Sequence, residues 1–202
     1  MSINNVTLIG LTGMSGAGKS TACRLFRENG YEIVDCDKLS RVIVQKGKPC
    51  LKEIAENFGA EALTSDGELN RSRVASIVFG DEKKRLLLNG IMYPYITYII
   101  IDSAFSRSEK CAFLLDAPTL FESGINELCD VIVSVVAERD LSVERICRRD
   151  GISEADAMKR LSSQHDKEFY IEHSDVYAEN NGSVDDFERR ILEIIRAVGR
   201  NT

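Results

Sequence analysis

The strongest constraint on this chain is the string Gly-Met-Ser-Gly-Ala-Gly-Lys-Ser at residues 13–20, which matches the phosphate-loop pattern G-x-x-x-x-G-K-[ST]. Residues 6–12 form an apolar run typical of a buried strand, and residues 21–28 favour a helix that ends at Asn29-Gly30. A strand, a glycine turn and a helix N-terminus form an anion site, because backbone N–H groups and the helix dipole face the ligand. Such a string also arises by chance in loops, but both flanks are correct here. We therefore predict that the chain binds a nucleoside triphosphate.

The side chains of this loop have distinct expected roles. Lys19 would reach the outer phosphates, and the Ser20 hydroxyl would be a ligand of Mg²⁺. The dinucleotide fingerprint G-x-G-x-x-G is not met, because Thr21 stands where a third glycine is needed after Gly16 and Gly18. The predicted ATP contacts from this segment are Ser15, Gly16, Ala17, Gly18, Lys19, Ser20 and Thr21.

Composition limits the classes of protein to which the chain can belong. A length of 202 residues predicts one core with one or two inserted lobes. The net charge of −6 and the pI near 5.1 argue against a general nucleic-acid binder, which would carry a basic face. We see no signal peptide, and the longest apolar stretch, residues 93–101, is interrupted by Pro94 and too short to span a bilayer.

Cysteine usage indicates the compartment. The 6 cysteines form no C-x-x-C pair, and the 2 histidines are too few to complete a plausible zinc site with them. Free thiols in a reducing cytosol are the simplest account, so we expect a cytoplasmic protein without a membrane partner. The oligomeric state stays open between a monomer and a small homo-oligomer.

The hydrophobic pattern alternates strands and helices. Residues 31–34, 112–116 and 131–136 read as strands, and residues 176–178 as a weaker fifth. Continuous apolar runs suit parallel strands that are covered on both faces. We therefore predict an α/β fold, a doubly wound parallel five-stranded sheet of the phosphate-loop NTPase type with its ligand at the carboxyl ends of the strands.

The helical segments carry recognisable boundaries. Asn70 is predicted to cap a helix that runs through residue 79, and Ser183 opens the last helix through a capping box. A longer helical stretch, residues 81–106, contains Pro94, which is expected to kink or split it.

Three aspartates follow strands on the expected phosphate side. Asp35 and Asp37 come just after the second strand, and one of them could accept a proton from an attacking hydroxyl. Strand-end aspartates often serve instead as helix caps or turn residues, and this alternative is stronger for Asp35 than for Asp37. Asp116 ends the third strand, as the metal-side carboxylate of phosphate-loop enzymes does.

Three arginines recur at helical spacing. Arg145, Arg148 and Arg149 fall at i, i+3 and i+4 and are expected to share a helical face. Asp150-Gly151 then turns the chain, and Ser153 begins a second capping box. A solvated charged helix is the alternative, but beside a phosphate loop we favour a flap that closes over the triphosphate and neutralises developing charge.

These segments together resemble one known family. The chain is similar to dephospho-CoA kinases over nearly its whole length, in the phosphate loop, in Val34-Asp35-Cys36-Asp37 with Arg41, in residues 116–122, in residues 145–151 and in Asn180-Asn181-Gly182. The phosphate loop alone is shared by many kinases, whereas the ordered set at this length is specific. The resemblance implies ATP-dependent phosphorylation of the ribose 3′-hydroxyl of dephospho-CoA, the last step of coenzyme A synthesis.

The resemblance also implies a division of the chain and roles for single residues. It implies one kinase domain with a core (1–38, 110–139 and 174–202), a helical substrate lobe (about 39–109) and a mobile helical lid (about 140–173). Asp37 would be the general base, and Arg145 a lid arginine that faces the phosphates beside Lys19. The remaining implied contacts are Arg149 and Asn181 for ATP, and Thr12, Asp37, Arg41, Pro118 and Leu120 for dephospho-CoA.

Two positions depart from the family pattern, and two other functions compete. Tyr93 stands where the family usually has histidine, and Thr119 replaces a usual leucine; we expect altered hydrogen bonding at Tyr93 without loss of activity. A kinase for another small hydroxyl or nucleotide substrate would differ only in the helical lobe. A GTP-dependent switch would carry N-K-x-D, and the sequence contains no such string.

Overall fold

The protein is described here as a computed structural model that covers residues 6–105 and 111–199. Its sheet has five parallel strands, and the prediction of a doubly wound α/β fold is confirmed. The strands are β1 (Val6–Gly13), β2 (Glu32–Asp35), β3 (Cys111–Asp116), β4 (Val131–Val136) and β5 (Val176–Glu179). The helices are α1 (Lys19–Glu28), α2 (Cys36–Val42), α3 (Pro49–Phe58), α4 (Arg71–Val78), α5 (Glu82–Phe105), α6 (Arg139–Asp150), α7 (Glu154–Ser162), α8 (Lys167–Glu172) and α9 (Val184–Gly199).

Strand order places the phosphate loop at the centre of the sheet. The order is β2-β3-β1-β4-β5, so β1 has a parallel neighbour on each side. Asp35 pairs in register with Asp116 at the ends of β2 and β3. The carboxyl edge therefore brings the aspartate segments beside the loop that follows β1.

Apolar side chains cover both faces of the sheet, as continuous apolar strands require. On one face, Phe26, Ile146 and Ile191 join α1, α6 and α9 in one cluster. On the other face, Ile54 and Ile100 join α3 and α5 in a second cluster. Both faces of the sheet are thus buried, and polar groups lie at its carboxyl edge.

Two element boundaries differ from the sequence expectation. Helix α1 begins at Lys19, earlier than predicted, because Gly18 forms its N-cap in the left-handed region at φ 113°. Pro94 lies inside α5 and does not split it. Its missing N–H and ring clash cost about 3 kcal/mol. Burial of Ile91, Ile96 and Ile100 along the same helix, at about 1.5–3 kcal/mol each, outweighs that cost.

The predicted caps are present. Asn70 Oδ1 accepts a hydrogen bond from the backbone N–H of Arg73, and Ser183 Oγ accepts one from Asp186. Within residues 6–105 and 111–199, no helix is long and apolar enough to cross a membrane. The predicted helix end at residue 106, and the predicted domain limits at residues 1, 109, 110 and 202, lie outside the described residues.

Candidate active site

A cavity of about 460 Å³ opens at the carboxyl edge of the sheet, where the phosphate loop meets the α6–α7 helix pair. It gathers residues from five separate segments of the chain. Its lining comprises Met14, Ser15, Gly16, Gly18, Lys19, Ser20, Asp37, Asp116, Pro118, Arg145, Arg149 and Gln164. Most of the predicted nucleotide and catalytic residues are therefore brought together in one place.

The shape of the phosphate loop depends on glycine at two close approaches. A Cβ on Gly13 would lie 2.0 Å from the carbonyl oxygen of Val135, and one on Gly18 would lie 2.6 Å from Asn180 Nδ2. Both residues also have positive φ, which disfavours other residue types. Ala17, within the loop, is fully buried and lies outside the cavity lining.

Lys19 is held at the base of the cavity. Its Nζ donates to the carbonyl oxygens of Gly13 at 2.7 Å and Met14 at 2.9 Å. Burial lowers the pKa of Lys19 to about 8, because removal from water disfavours the charged form, and nearby Asp116 only partly offsets this. The ammonium group is thus fixed in position and in need of an anionic partner.

The structure separates the two aspartates after β2. Asp35 caps α2: its carboxylate accepts from the backbone N–H of Lys38 at 2.8 Å and lies 3.1 Å from Lys38 Nζ. Partial burial opposes this, but the hydrogen bonds and charge of Lys38 prevail and hold the pKa of Asp35 below its usual value. The alternative of a capping aspartate therefore applies to Asp35.

Asp37 lies in the first turn of α2 and faces the cavity. Partial removal from water by the cavity walls, together with the charges of Asp35 and Asp116, raises the pKa of its carboxyl group. Arg41 and Lys19 oppose that rise. Two neighbouring carboxyl groups with pKa values pushed in opposite directions suit different roles, and the raised one is the better proton acceptor.

Oxygen donors suited to a hard cation also line the cavity. The hydroxyl of Ser20 and the carboxylates of Asp37 and Asp116 are the kinds of ligand that Mg²⁺ takes beside substrate phosphates. Among the described residues there is no group of three or more His, Cys, Asp or Glu that could hold a metal alone. The donor set therefore fits an ion that nucleotide phosphates help to bind.

The three arginines predicted to share a face of α6, Arg145, Arg148 and Arg149, do not share one environment. Arg145 and Arg149 line the cavity, whereas Arg148 is 74% exposed in its side chain and lies 3.8 Å from Glu144. The expectation that all three face one way was wrong, because only the i and i+4 positions lie on the side of the helix that meets the phosphate loop.

Arg145 is the most buried cation of the α6–α7 pair. Its Nη2 donates to Asn180 Oδ1 at 3.5 Å, and its Nη1 is buried without a hydrogen-bond partner among the described residues. A buried guanidinium N–H that lacks a partner is costly unless an anion completes it. Arg149 is held by both carboxylate oxygens of Asp150, at 2.7 and 2.8 Å.

The segment after β5 contributes through Asn180. Asn180 Nδ2 donates to the carbonyl oxygen of Ala17 at 2.8 Å, so this side chain joins the phosphate loop to Arg145. Asn181 lies outside the cavity lining: its Oδ1 accepts from the backbone N–H of Glu138, and its Nδ2 donates to Glu179. Thr21, on α1, also lies outside the lining.

The residues predicted to contact dephospho-CoA lie in three different kinds of place. Pro118 lines the cavity, but Thr12 and Leu120 are fully buried. The Thr12 hydroxyl donates to the Pro118 carbonyl at 3.4 Å, so it positions the turn that Leu120 anchors from below. Arg41 lines a separate polar pocket of about 330 Å³ together with Lys46 and Arg71.

Two side chains that hydrogen-bond to the phosphate loop had no predicted role. Gln164 lies between α7 and α8, and its Oε1 accepts from the backbone N–H of Ser15 at 3.0 Å although 149 residues separate them. Asn180 was noted only as part of a family segment. No local pattern reveals either contact, because each depends on how distant elements pack.

Comparison with known proteins gives the family. The family model for dephospho-CoA kinase matches residues 7–186. The chain belongs to the dephospho-CoA kinase family. A dephospho-CoA kinase of Bacillus cereus is 35% identical over 191 residues, which cover 94% of this chain and 96% of that one. One of Oryza sativa subsp. japonica is 35% identical over 193 residues, which cover 95% and 84%.

A solved structure supports the same fold. TT1252 from Thermus thermophilus superimposes with a TM-score of 0.79 at 27% identity and covers 95% of this chain and 97% of that one. Tyr93 departs from the pattern of the dephospho-CoA kinase family, and its side chain has a hydrogen-bond partner in this structure. Its hydroxyl donates to the carbonyl oxygen of Glu122 at 2.6 Å, beside the side-chain amide of Asn89.

Proposed function

We propose that this site transfers the terminal phosphoryl group of ATP to the ribose 3′-hydroxyl of dephospho-CoA, with Asp37 as general base and Lys19 and Arg145 as the charge-stabilising cations. The proposed reaction, which completes coenzyme A biosynthesis, is supported by membership of the dephospho-CoA kinase family over residues 7–186. The cavity that gathers these three side chains supports the assignment of roles.

The phosphate loop and the cations supply electrostatic stabilisation. Phosphoryl transfer passes through a loose transition state with charge on the outer oxygens, so positioned cations contribute most of the catalysis. Lys19 is fixed by two loop carbonyls, and Arg145, which lines the same cavity, has a buried guanidinium N–H without a partner among the described residues. We propose that the α6–α7 pair serves as the lid that brings Arg145 to the phosphates.

The acceptor hydroxyl enters on the Asp37 side. Asp37 and Pro118 line the same part of the cavity edge, after β2 and β3, which are neighbours in the sheet. A carboxylate with a raised pKa there can hold the hydroxyl in line and accept its proton at Oδ as the O–P bond forms. Arg41, one helical turn after Asp37, would contact the rest of dephospho-CoA.

Phosphate-loop kinases that use ATP generally need a divalent metal, and we propose Mg²⁺ here. Ser20, with Asp116 nearby, would hold it, and the bound ion would neutralise phosphate charge. A cytoplasmic location is part of the proposal and is supported by the free thiols of Cys23, Cys36, Cys50, Cys129 and Cys147.

A coupled assay tests the proposed reaction. Purified protein with ATP and Mg²⁺ should release ADP rapidly with dephospho-CoA and far more slowly with AMP or other nucleoside monophosphates. Phosphate at the 3′-hydroxyl of the product is checked by mass spectrometry and NMR. Equal or better rates with a nucleoside monophosphate would favour the competing kinase function.

Arg145→Ala should mainly lower kcat, because its charge is needed most while the phosphoryl group is in transfer. A comparable arginine elsewhere contributes roughly 10³–10⁵-fold, and here other cations remain, so a loss of about 10³-fold or less is expected. The matched control is Arg148→Ala on the same helix, whose side chain is 74% exposed and which should retain activity. An Arg145 variant that changes only the KM for ATP would make Arg145 a ground-state ligand.

ATP affinity should fall as the pH rises above about 8. Free Lys19, with a pKa of about 8, has largely lost its proton at pH 9, whereas the phosphates of bound ATP favour the charged form. Binding must then take up a proton, and the Kd is expected to be about tenfold higher at pH 9 than at pH 7. Titration calorimetry in two buffers of different ionisation enthalpy measures the uptake. Lys19→Arg keeps its charge and should show no such dependence; a pH-independent Kd in the unmodified protein would contradict the mechanism.

A further inference from the structure

Gln164 brings a carboxamide from the α7–α8 turn into direct contact with the phosphate loop. Its Oε1 accepts the hydrogen bond of the Ser15 backbone N–H at 3.0 Å, and the residue is half-buried in the cavity wall. Because that loop N–H can only donate, the oxygen must face Ser15 and the Nε2 must face away from it. The orientation of the carboxamide is therefore settled by its partner.

The backbone around Gln164 is anchored on both sides. The Gln164 N–H donates to the carbonyl oxygen of Leu161 at 3.2 Å, which closes α7. The next residue, His165, stacks on Phe169 with ring centroids 3.6 Å apart, and its Nε2 lies 3.5 Å from Glu122 Oε1. The side chain of Gln164 is thus held at the loop by neighbours that do not themselves line the cavity.

The Nε2 group of Gln164 has N–H donors that are available to a ligand. Within residues 6–105 and 111–199, its Nε2 makes no hydrogen bond to the protein. Gln164 lines the same cavity as Lys19, Arg145 and Arg149, whose side chains are also hydrogen-bond donors. A neutral N–H₂ group in such a place suits a phosphate oxygen, because hydrogen bonds to a charged acceptor are the strong ones.

We propose that Gln164 is a ligand of the outer phosphates of ATP, with Oε1 bonded to the Ser15 amide and Nε2 donating to a β- or γ-phosphate oxygen. This role depends on the proposed kinase function in one respect: a nucleoside triphosphate must bind in this cavity. Gln164 then joins the phosphate loop, the nucleotide and the α6–α8 region through one side chain.

Binding of AMP-PNP with Mg²⁺ tests the role without turnover. Gln164→Ala should raise the Kd for AMP-PNP by about 10-fold or more, as expected for the loss of a hydrogen bond to a charged group. The Kd for AMP, which lacks the outer phosphates, should be unchanged. If Gln164→Ala binds AMP-PNP as well as or better than the unmodified protein, Gln164 competes with the phosphates and the proposal is wrong.

Gln164→Glu gives the sharper measurement. The carboxylate still accepts from Ser15, but it has no donor and adds a negative charge, so AMP-PNP should bind more weakly than to Gln164→Ala at pH 8. A Gln164→Glu protein that binds AMP-PNP at pH 8 no more weakly than Gln164→Ala does overturns the proposal.

Controls separate this result from the function itself. Ser163→Asp adds a carboxylate to the adjacent exposed residue, whose hydroxyl donates to the Arg160 carbonyl, and should leave AMP-PNP binding unchanged. In turnover, Gln164→Ala should raise the KM for ATP and leave the KM for dephospho-CoA unaltered. A protein that binds AMP-PNP but does not phosphorylate dephospho-CoA would contradict the proposed function and leave the Gln164 comparison valid.

Discussion

Lys19→Ala is expected to lower kcat by at least about 10²–10³-fold, the range measured when one positioned electrostatic group is removed from a transition state. Lys19 is held in the cavity by hydrogen bonds to the carbonyl oxygens of Gly13 and Met14. Its burial keeps competing water away, so its charge acts on the transferred group at low effective dielectric.

The fold should survive this substitution. Burial already lowers the pKa of Lys19, which means that the buried charge is not a source of stability in the free protein. Thermal unfolding checks this. Lys52→Ala is the control, because the Lys52 side chain is 81% exposed and its ion pair with Glu56, at 3.7 Å, is on the surface. A folded Lys19→Ala protein with nearly normal turnover would show that the phosphate loop is placed wrongly.

Local sequence patterns were sufficient for the sheet and the loop. The predicted limits of β4, residues 131–136, agree with the structure, and the helix cap at Asn70 is in place. Each is determined by neighbours in the chain: a continuous apolar run, or a side chain that reaches an N–H three residues away. The phosphate loop belongs to the same class, because its strand, glycines and helix are contiguous.

Long-range packing produced what the sequence did not predict. The intact α5 through Pro94 depends on isoleucines buried against other elements. The contacts of Gln164 with Ser15 and of Asn180 with Ala17 join residues 149 and 163 positions apart. Arg148 points away because of how α6 sits on the loop, which spacing within one helix does not determine.

The aspartate pair shows how the structure separates two residues that local sequence leaves alike. Asp35 and Asp37 are both acidic, both follow β2, and both could have served as the base. Asp35 is engaged by the backbone and side chain of Lys38, whereas Asp37 faces the cavity with a raised pKa. A carboxylate already committed to a cap and a lysine is a weak base and poorly placed to meet a substrate.

Asp37→Asn is expected to lower kcat by about 10²–10⁴-fold, because asparagine keeps the size and hydrogen bonding but cannot accept the proton. Part of the effect comes from lost positioning, since the hydroxyl gives up its proton late in a loose transition state. The control is Asp35→Asn, which still caps α2 and should turn over almost normally. Binding of dephospho-CoA is measured in both variants, so that a loss of affinity is not mistaken for a loss of chemistry.

The pH profile gives a second readout for Asp37. The base must be ionised, and its pKa lies above the ordinary value of 3.8, so kcat/KM of the unmodified protein should fall on the acid side with an apparent pKa above 3.8. Asp35→Asn removes a neighbouring negative charge that raises the pKa of Asp37, so its acid limb should move to lower pH. Asp37→Asn should lose that limb. If Asp35→Asn is the crippled variant and Asp37→Asn keeps the limb and the rate, the two roles are reversed, and the proton leaves through the carboxylate that caps the helix.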